Sequence, residues 1–359
     1  MGRNNLGICF VLAALLISYS KADFVKTSGT KFVNNNKPFY FNGFNAYWLM
    51  VIASEPSNRN KVTDALFQAS RYKMNVARTW AFSDGDINGA LQTSPGKYNE
   101  QVFEGLDFVV AEAKKRGIYL ILSLVNNYND FGGKKQYVQW ARDQGRNLAN
   151  DDAFFTDPVV KGFYKNHIKT VLTRVNTITR IAYKDDPTIL AWELMNEPRC
   201  ESTSHGKSCP NQTIWSKLNS QAMDRSTHKR LGRSWRNHFL SLNSASLQNW
   251  QITVGARDGY FSDIFNNVIV CARRGGPCGG TIFWQLMTQG MENFADGYEV
   301  ILQQSPSTAR VINRQSRRIS SLNNGRNEED IILTMQNNGG FGGEVLEVIV
   351  VRWEEVRSD

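Results

Sequence analysis

The chain has 359 residues, with 42 Lys and Arg against 33 Asp and Glu, which gives a formal net charge of +9 at pH 7. The basic residues are scattered, as in the pairs Lys229-Arg230 and Arg317-Arg318, and lack the interleaved aromatic side chains typical of nucleic-acid-binding surfaces. Composition therefore argues against nucleic acid as a partner, and the length allows one large domain.

The first 22 residues have the pattern of a secretory signal peptide. Arg3 supplies a positive amino-terminal region, residues 6–17 an apolar core, and Ser20-Lys21-Ala22 a small-x-small cleavage site. The core is too short to span a bilayer, and no later segment reaches the roughly 18 uncharged apolar residues that a spanning helix needs. We therefore expect cleavage near Asp23 and a secreted, extracellular monomer with no membrane partner.

Strand-like and helix-like segments alternate along the first half of the chain. The predicted strands cover residues 39–47, 75–80, 118–125 and 188–195. The predicted helices cover residues 61–72, 101–115 and 159–183. Four strand–helix units in order favour a parallel barrel of α/β class over an antiparallel sandwich.

The second half of the chain is less regular. The candidate helices cover residues 214–223, 235–247 and 261–272, and the candidate strands cover 250–254 and 280–286. Beyond residue 322 the chain turns rich in Gly and Asn and ends in an apolar stretch, typical of either a β-hairpin appendage or a poorly ordered extension. The predicted organisation is a signal peptide (1–22), one barrel (23–322) with a divergent, shortened segment (201–257), and a tail (323–359).

Four cysteines follow the signal peptide, namely Cys200, Cys209, Cys271 and Cys278. An even set in an oxidising compartment favours disulfide bonds. The four histidines show no spacing typical of metal ligands, so no metal site is expected. Three pairings are possible, and the sequence does not choose among them.

The predicted strand after Pro187 ends in Asn196-Glu197-Pro198. In a barrel of alternating strands and helices, the carboxyl ends of the strands open onto the loops that carry the chemistry. Glu197 is therefore a candidate catalytic acid, and the preceding Asn196 is suited to hydrogen-bond a sugar hydroxyl. The alternative interpretation of Glu197 is an ordinary solvated loop carboxylate.

Four blocks of sequence carry a more specific resemblance. They are FYFNGFNAYW at residues 39–48, NVARTW at 75–80, WELMNEPRC at 192–200 and FWQL at 283–286. Together they resemble the plant endo-β-1,4-mannanases (mannan endo-1,4-β-mannosidases) of glycoside hydrolase family 5. The resemblance implies a TIM (β/α)8-type barrel and retaining hydrolysis of internal β-1,4-mannosidic bonds in mannan, galactomannan or glucomannan.

The resemblance also implies roles for individual residues. Glu197 matches the acid/base that protonates the leaving oxygen and later deprotonates water, and Asn196 matches the residue that binds the sugar 2-hydroxyl. Arg78 matches an arginine that orients active-site carboxylates. Trp284 matches the platform under the sugar at the cleavage point, and Trp80 a substrate-contacting aromatic. Core packing of both tryptophans and a purely structural ion pair of Arg78 are the alternatives.

No cofactor or metal is implied, and the expected partner is a β-mannan polysaccharide of the cell wall. An aromatic content of 11% fits such a neutral polysaccharide, because aromatic rings stack on the C–H faces of sugars.

The second carboxylate of the family has no counterpart in the sequence. Retaining hydrolysis needs two carboxyl groups about 5–5.5 Å apart. Between Glu201 and Glu292 the acids are Asp224, Asp258 and Asp263, and none lies in a strand end that resembles the Glu-Phe-Gly of the family. The strand-six His-x-Tyr pair of the family is also missing, so the nucleophile is not identified.

Three other acids are weaker candidates for that role. Glu193 precedes Glu197 by four residues, roughly 13 Å along a strand, which is too far to flank one bond. We expect Glu193 to be an interior carboxylate paired with a residue such as Arg78. Glu292 lies in a loop beyond strand eight, and Asp258 opens a helix, where capping is the ordinary role.

Spacing indicates that the barrel is incomplete in the region of strands five to seven. Glu197 and Trp284 are separated by 284 minus 197, or 87 residues, where four barrel units need about 125. We expect residues 254–258 to be strand five, joined directly to the helix that should follow strand seven. Three interpretations stay open: an active endo-mannanase, an inactive mannan-binding pseudoenzyme, or a chain that does not fold stably because an open barrel exposes strand edges.

Overall fold

The computed structural model describes residues 23–198 and 253–325, together with the backbone of residues 239–242 and 350–351. The predicted signal peptide (1–22) lies outside these ranges, as do most of the segment 201–257 and most of the tail 323–359. Within the described ranges, no helix combines the length and apolar character needed to cross a membrane.

Short strands and helices alternate along the described chain. The strands are β1 Lys26–Ser28, β2 Lys31–Asn34, β3 Lys37–Pro38, β4 Phe41–Asn45, β5 Val76–Trp80, β6 Gln92–Ser94, β7 Lys97–Tyr98, β8 Tyr119–Ser123, β9 Ile189–Glu193, β10 Phe239–Leu242, β11 Gly280–Phe283, β12 Leu286–Met287, β13 Val300–Ile301 and β14 Val350–Val351. The α-helices are α1 Leu49–Ser54, α2 Arg59–Arg71, α3 Glu100–Lys115, α4 Gly133–Asp143, α5 Pro158–Thr173, α6 Val254–Arg273 and α7 Pro306–Asn323. The strand–helix alternation predicted for the first half is confirmed.

Five parallel strands form the centre of the fold in the order β11-β4-β5-β8-β9. Pairing of Phe283 with Phe44 places the last strand of the barrel beside the first. Every residue of β4, β5, β9 and β11 is buried, as expected for parallel strands covered on both faces. Because the strands are parallel, their carboxyl ends lie at one edge of the sheet, where the candidate site residues follow.

The amino-terminal sheet β1–β3 packs against the starts of the central strands. Phe32 and Phe39 belong to one buried cluster with Phe41, Val76 and Ile121. The Phe32 and Phe41 rings meet edge to face with centroids 6.1 Å apart. Burial of these rings covers the end of the sheet opposite the candidate site.

Two predictions for the second half of the chain are wrong. Residues 239–242 pair parallel with β11, Phe239 opposite Gly280, so the helix predicted over 235–247 is wrong there. Residues 254–258, predicted as strand five, form the start of α6, because the Thr253 hydroxyl accepts a hydrogen bond from the Ala256 amide at 3.2 Å and caps the helix.

The outer edge of β9 pairs with residues of the tail. Val350 and Val351 lie antiparallel to Glu193 and Trp192. Two tail residues therefore extend the sheet at the edge where a complete barrel continues with strand five.

One disulfide is present in the described part of the chain. Cys271, at the end of α6, is bonded to Cys278, before β11, with the Cα atoms 5.9 Å apart. The expectation of disulfide bonding is confirmed for this pair, while Cys200 and Cys209 lie outside the described residues.

The helix predicted over 159–183 ends ten residues early, at Thr173. The buried carboxylate of Asp107 in α3 fixes the chain that follows. It accepts hydrogen bonds from the Arg174 guanidinium at 2.7 and 3.0 Å, from the Thr177 hydroxyl at 2.8 Å and from the Tyr183 hydroxyl at 2.6 Å. These side-chain bonds replace the helical ladder, which periodicity alone does not foresee.

Two carboxylates bind Arg174 and differ in burial, so they form a matched pair for a stability test. The side chain of Asp107 is fully buried and that of Glu100 is 63% exposed. Removing Asp107 leaves the Arg174 guanidinium, whose side chain is 11% exposed, with only the exposed Glu100, and leaves the buried Tyr183 hydroxyl without its acceptor, so Asp107→Ala should lower the free energy of unfolding by about 3–5 kcal/mol. Glu100→Ala should cost less than about 1 kcal/mol. Urea unfolding measures both, and equal losses would contradict the assignment of Asp107 as the anchor.

Candidate active site

A single guanidinium joins three central strands at their carboxyl ends. Arg78, in β5, is 6% exposed and donates to Asn45 Oδ1 at 3.0 Å. Its second terminal nitrogen donates to Glu193 Oε2 at 2.5 Å and to Asn196 Oδ1 at 2.6 Å. The pairing of Glu193 with Arg78 expected from the sequence is therefore confirmed, and Arg78 contacts both ends of the segment that leads to Glu197.

Glu193 is an interior carboxylate with its hydrogen-bonding capacity engaged. Burial raises its pKa, while the Arg78 cation and a hydrogen bond from the Ser123 hydroxyl act in the opposite direction. The charge of Glu197 raises the pKa of Glu193 further, which indicates that the two carboxyl groups interact electrostatically. Glu193 thus supports the frame, and Glu197 is the more accessible acid of the two.

Asn196 lies three residues after the end of β9 and forms an isolated parallel bridge with Asn126. Its amide donates to Val125 O at 2.8 Å, and its side chain donates from Nδ2 to Asn126 Oδ1 at 3.0 Å. The side-chain nitrogen Nδ2 of Asn196 uses one of its two hydrogens in the bond to Asn126, and the second is left for a sugar hydroxyl. Asn196 is therefore held on both sides before the chain leaves the sheet.

Glu197 lies where the chain turns out of the strand. It is partly exposed and has φ of +47°. Few residues other than glycine adopt this left-handed conformation, which costs of order 1–3 kcal/mol and recurs at functional sites. The turn at Glu197 therefore comes directly after Asn196, which hydrogen bonds hold in place.

An aromatic wall formed by Tyr47, Trp80, Phe82, Phe131 and Trp284 lines the same edge of the sheet. Tyr47 lies between the two predicted tryptophans, with ring centroids 4.8 Å from Trp80 and 5.7 Å from Trp284. Trp80 also contacts Phe82 at 4.8 Å and Phe131 at 4.9 Å and is only 8% exposed, so core packing accounts for most of its surface. Trp284 is partly exposed, as a sugar platform requires.

Comparison with known proteins identifies the family of this chain. A family model described as glycoside hydrolase family 5 β-mannosidase-like matches residues 22–234. The chain belongs to glycoside hydrolase family 5. The chain is 45% identical to mannan endo-1,4-β-mannosidase 4 of Solanum lycopersicum, over 89% of this chain and 100% of that protein. It is 42% identical to mannan endo-1,4-β-mannosidase 1 of Oryza sativa subsp. japonica, over 83% of this chain and 86% of the relative.

A solved structure supports the fold of this family 5 chain. The endo-1,4-β-mannanase from Rhizomucor miehei superposes with a TM-score of 0.65 at 21% identity, over 83% of this chain and 100% of that one. The predicted TIM-type α/β barrel is thereby confirmed, and the five central strands described above belong to it.

The acids considered as second carboxylate are engaged elsewhere. Asp258, in α6, accepts a hydrogen bond from the Thr308 hydroxyl of α7 at 2.5 Å and so links two helices. Glu292 is exposed and accepts from the Gly290 amide at 3.1 Å within its own loop. Asp224 lies outside the described residues, and in the described part of the family 5 chain no nucleophile is identified. There, too, no cluster of three or more potential metal ligands occurs.

Sequence reasoning missed two residues of this site. Tyr47 fills the gap between Trp80 and Trp284, and the Asp296 carboxylate accepts the indole N–H of Trp284 at 2.5 Å. Tyr47 stands within a block that matched the family, which was a usable signal. Asp296 gave none, because the loop that returns it to Trp284 is visible only in the folded chain.

The buried acid Asp84 is hydrogen-bonded to the backbone of Phe131, a member of the aromatic wall. The Asp84 amide donates to Phe131 O at 2.9 Å, and the carboxylate of Asp84 is fully buried. The Tyr137 hydroxyl lies 3.4 Å from Asp84 Oδ1, and Oδ2 has no partner within the described ranges. Burial raises the pKa of Asp84 well above its ordinary value, and the hydrogen bond from Tyr137 only partly opposes the shift.

Replacing this acid should change how stability depends on pH. A raised folded-state pKa means that the native protein holds a proton that the unfolded chain loses above about pH 4, so the Asp84 contribution to stability falls as pH rises. Asp84→Asn should therefore stabilise the protein at pH 7, by roughly 1.4 kcal/mol for each unit of the raised pKa, and leave it nearly unchanged at pH 4.

Thermal melts of both proteins from pH 4 to pH 7 test this expectation. Burial lowers the pKa of His167 to about 4, which makes stability rise with pH between about pH 4 and 6.5 in both proteins. The His167 contribution cancels when the stability of the wild type is subtracted from that of the variant at each pH. A difference that does not grow with pH would show that Asp84 is ionised in the folded state.

Proposed function

We propose that this family 5 chain is a secreted, extracellular, monomeric endo-β-1,4-mannanase of the cell wall. Its substrates are mannan, galactomannan and glucomannan, and it cleaves their internal β-1,4-mannosidic bonds by a retaining mechanism with Glu197 as acid/base. The observation that carries the proposal is the position of Glu197, which leaves the end of β9 beside a fixed Asn196. Trp284 follows β11 at the same edge of the sheet.

The geometry supports a division of labour among these residues. In the retaining reaction a nucleophilic carboxylate, not identified among the described residues, attacks the anomeric carbon as Glu197 protonates the leaving oxygen, and Glu197 then deprotonates the water that displaces that carboxylate. The free amide hydrogen of Asn196 binds a hydroxyl of the same sugar, and Trp284 supports the face of its ring. Arg78 does not need to touch the sugar, because its bonds to Glu193 and Asn196 hold the acid-bearing segment in place.

A second candidate function is mannan binding without hydrolysis. Residues 239–242 pair with β11 where strand seven of the barrel belongs, and the four residues that follow Leu242 are Asn, Ser, Ala and Ser. No carboxylate follows that strand at the position where the family places its nucleophile. A cleft that keeps Asn196, Glu197 and Trp284 but lacks a second carboxylate would bind mannan as a lectin does.

Glu197→Gln tests the first function. General acid/base catalysis contributes about 10²- to 10⁴-fold, so this variant should release reducing ends from mannan at least about 100-fold more slowly than wild type. Glu292→Gln is the matched control, because it makes the same change at an exposed carboxylate, and it should keep wild-type activity.

Two other outcomes are informative. Equal activity of wild type and Glu197→Gln would remove Glu197 from the mechanism. Sedimentation of wild type with insoluble mannan, reduced by Trp284→Ala and unaccompanied by new reducing ends, would favour the second function.

A further inference from the structure

We propose that Asp296 is a positioning residue that fixes the indole of Trp284 as the sugar platform of the cleft. The inference rests on the proposed mannan-binding site, since it concerns the tryptophan under the sugar. It adds a residue that the sequence did not indicate.

The contact that carries the inference is a shared carboxylate oxygen. Asp296 Oδ2 accepts the indole N–H of Trp284 at 2.5 Å and the side-chain amide of Gln285 at 3.1 Å. Hydrogen bonds to an ionised acceptor are short and about twice as strong as neutral ones. An indole has one polar hydrogen, so this bond fixes the only polar point on the rim of the platform.

The loop that presents Asp296 is organised without help from the tryptophan. Glu299 Oε2 accepts the backbone amides of Asp296 at 3.1 Å and Gly297 at 2.8 Å. Asp296 Oδ1 accepts the amide of Tyr298 at 3.0 Å, and Gly297 supplies the positive φ of +87°. Asp296 therefore has a defined orientation before it meets Trp284.

Strand pairing returns this loop to the platform. Leu286 and Met287, just after Trp284, pair with Val300 and Ile301 in a two-stranded parallel sheet. The Val300 amide also donates to Gln285 O at 2.7 Å. The segment between these strands closes on itself, which brings a residue 12 positions after Trp284 back to its indole edge.

A second contact holds one face of the same indole. The Tyr47 ring lies parallel to it, at an interplanar angle of 7° and a centroid distance of 5.7 Å. Burial raises the pKa of Tyr47, and the nearby Asp296 charge raises it further. The indole is thus fixed on an edge by Asp296 and on a face by Tyr47.

A comparison of Trp284 with Trp80 indicates what the hydrogen bond from Trp284 to Asp296 contributes. The indole nitrogen of Trp80 is buried and has no hydrogen-bond partner in the described part of the chain, and packing against the rings of Tyr47, Phe82 and Phe131 holds this ring, which is 8% exposed. Trp284 is more exposed and cannot rely on packing. A platform that is already oriented loses less conformational freedom when the sugar binds, and therefore binds more tightly.

The orientation of Trp284 is measured first, in protein labelled with 5-fluorotryptophan. Trp284→Phe identifies the Trp284 resonance among nine tryptophans. Asp296→Ala should shift and broaden that fluorine resonance alone, and Asp296→Asn, which keeps a carbonyl acceptor, should restore most of its position. Asp263→Ala removes the same charge from an exposed site on α6 and should change nothing.

Binding is measured next, by titration calorimetry with mannohexaose. Because the sugar must then order the indole itself, Asp296→Ala should bind about 2- to 12-fold more weakly, with Asp296→Asn closer to wild type and Asp263→Ala equal to it. An unchanged Trp284 resonance in Asp296→Ala overturns the inference, as does wild-type affinity in that variant. Absence of mannohexaose binding by wild type overturns the proposed function and the sugar platform together, while the fluorine spectra still decide whether Asp296 fixes the indole.

Discussion

The buried ion pair of Arg78 and Glu193 is the constraint on which the candidate site depends. Both groups are almost inaccessible to water, so each is stabilised by the other and by further hydrogen bonds to its polar atoms. Those extra bonds come from Asn45, Ser123 and Asn196, which lie on or next to different strands. Satisfying one buried charge pair therefore also aligns the strand ends and places the residue before Glu197.

The candidate site contains two of the groups expected for the family and, within the described residues, lacks a third. The acid at the end of β9 and the tryptophan after β11 are present with supporting contacts, whereas the strand beside β11 is followed by residues without a carboxylate. The candidate acid/base, the candidate sugar platform and their supports lie on or next to β4, β5, β8, β9 and β11. The family places its nucleophile in the region between Glu197 and Trp284, where the spacing is short. Sequence spacing and sheet order therefore indicate the same incomplete part of the barrel.

Predictions that depended on local sequence were accurate, and predictions of features set by distant residues were not. Strands such as Val76–Trp80 and Ile189–Glu193 were predicted because fully buried parallel strands are apolar runs, a property of local sequence. The helix predicted over 159–183 was too long because Asp107, more than sixty residues earlier, provides hydrogen bonds that end it. Residues 254–258 were assigned to a strand from the expected spacing of barrel units, although Thr253 caps a helix there.

By itself, the sequence determined the class of fold, the family, and the chemical identity of the residues at the strand ends, because these depend on periodicity and on short motifs. Only the tertiary structure decided that Arg78 joins Asn45, Glu193 and Asn196, that Tyr47 bridges Trp80 and Trp284, and that Asp296 holds Trp284. Contacts of this kind form between residues far apart in the chain. They depend on which strands are neighbours and on how a loop returns to the sheet, and neither property is written in local sequence.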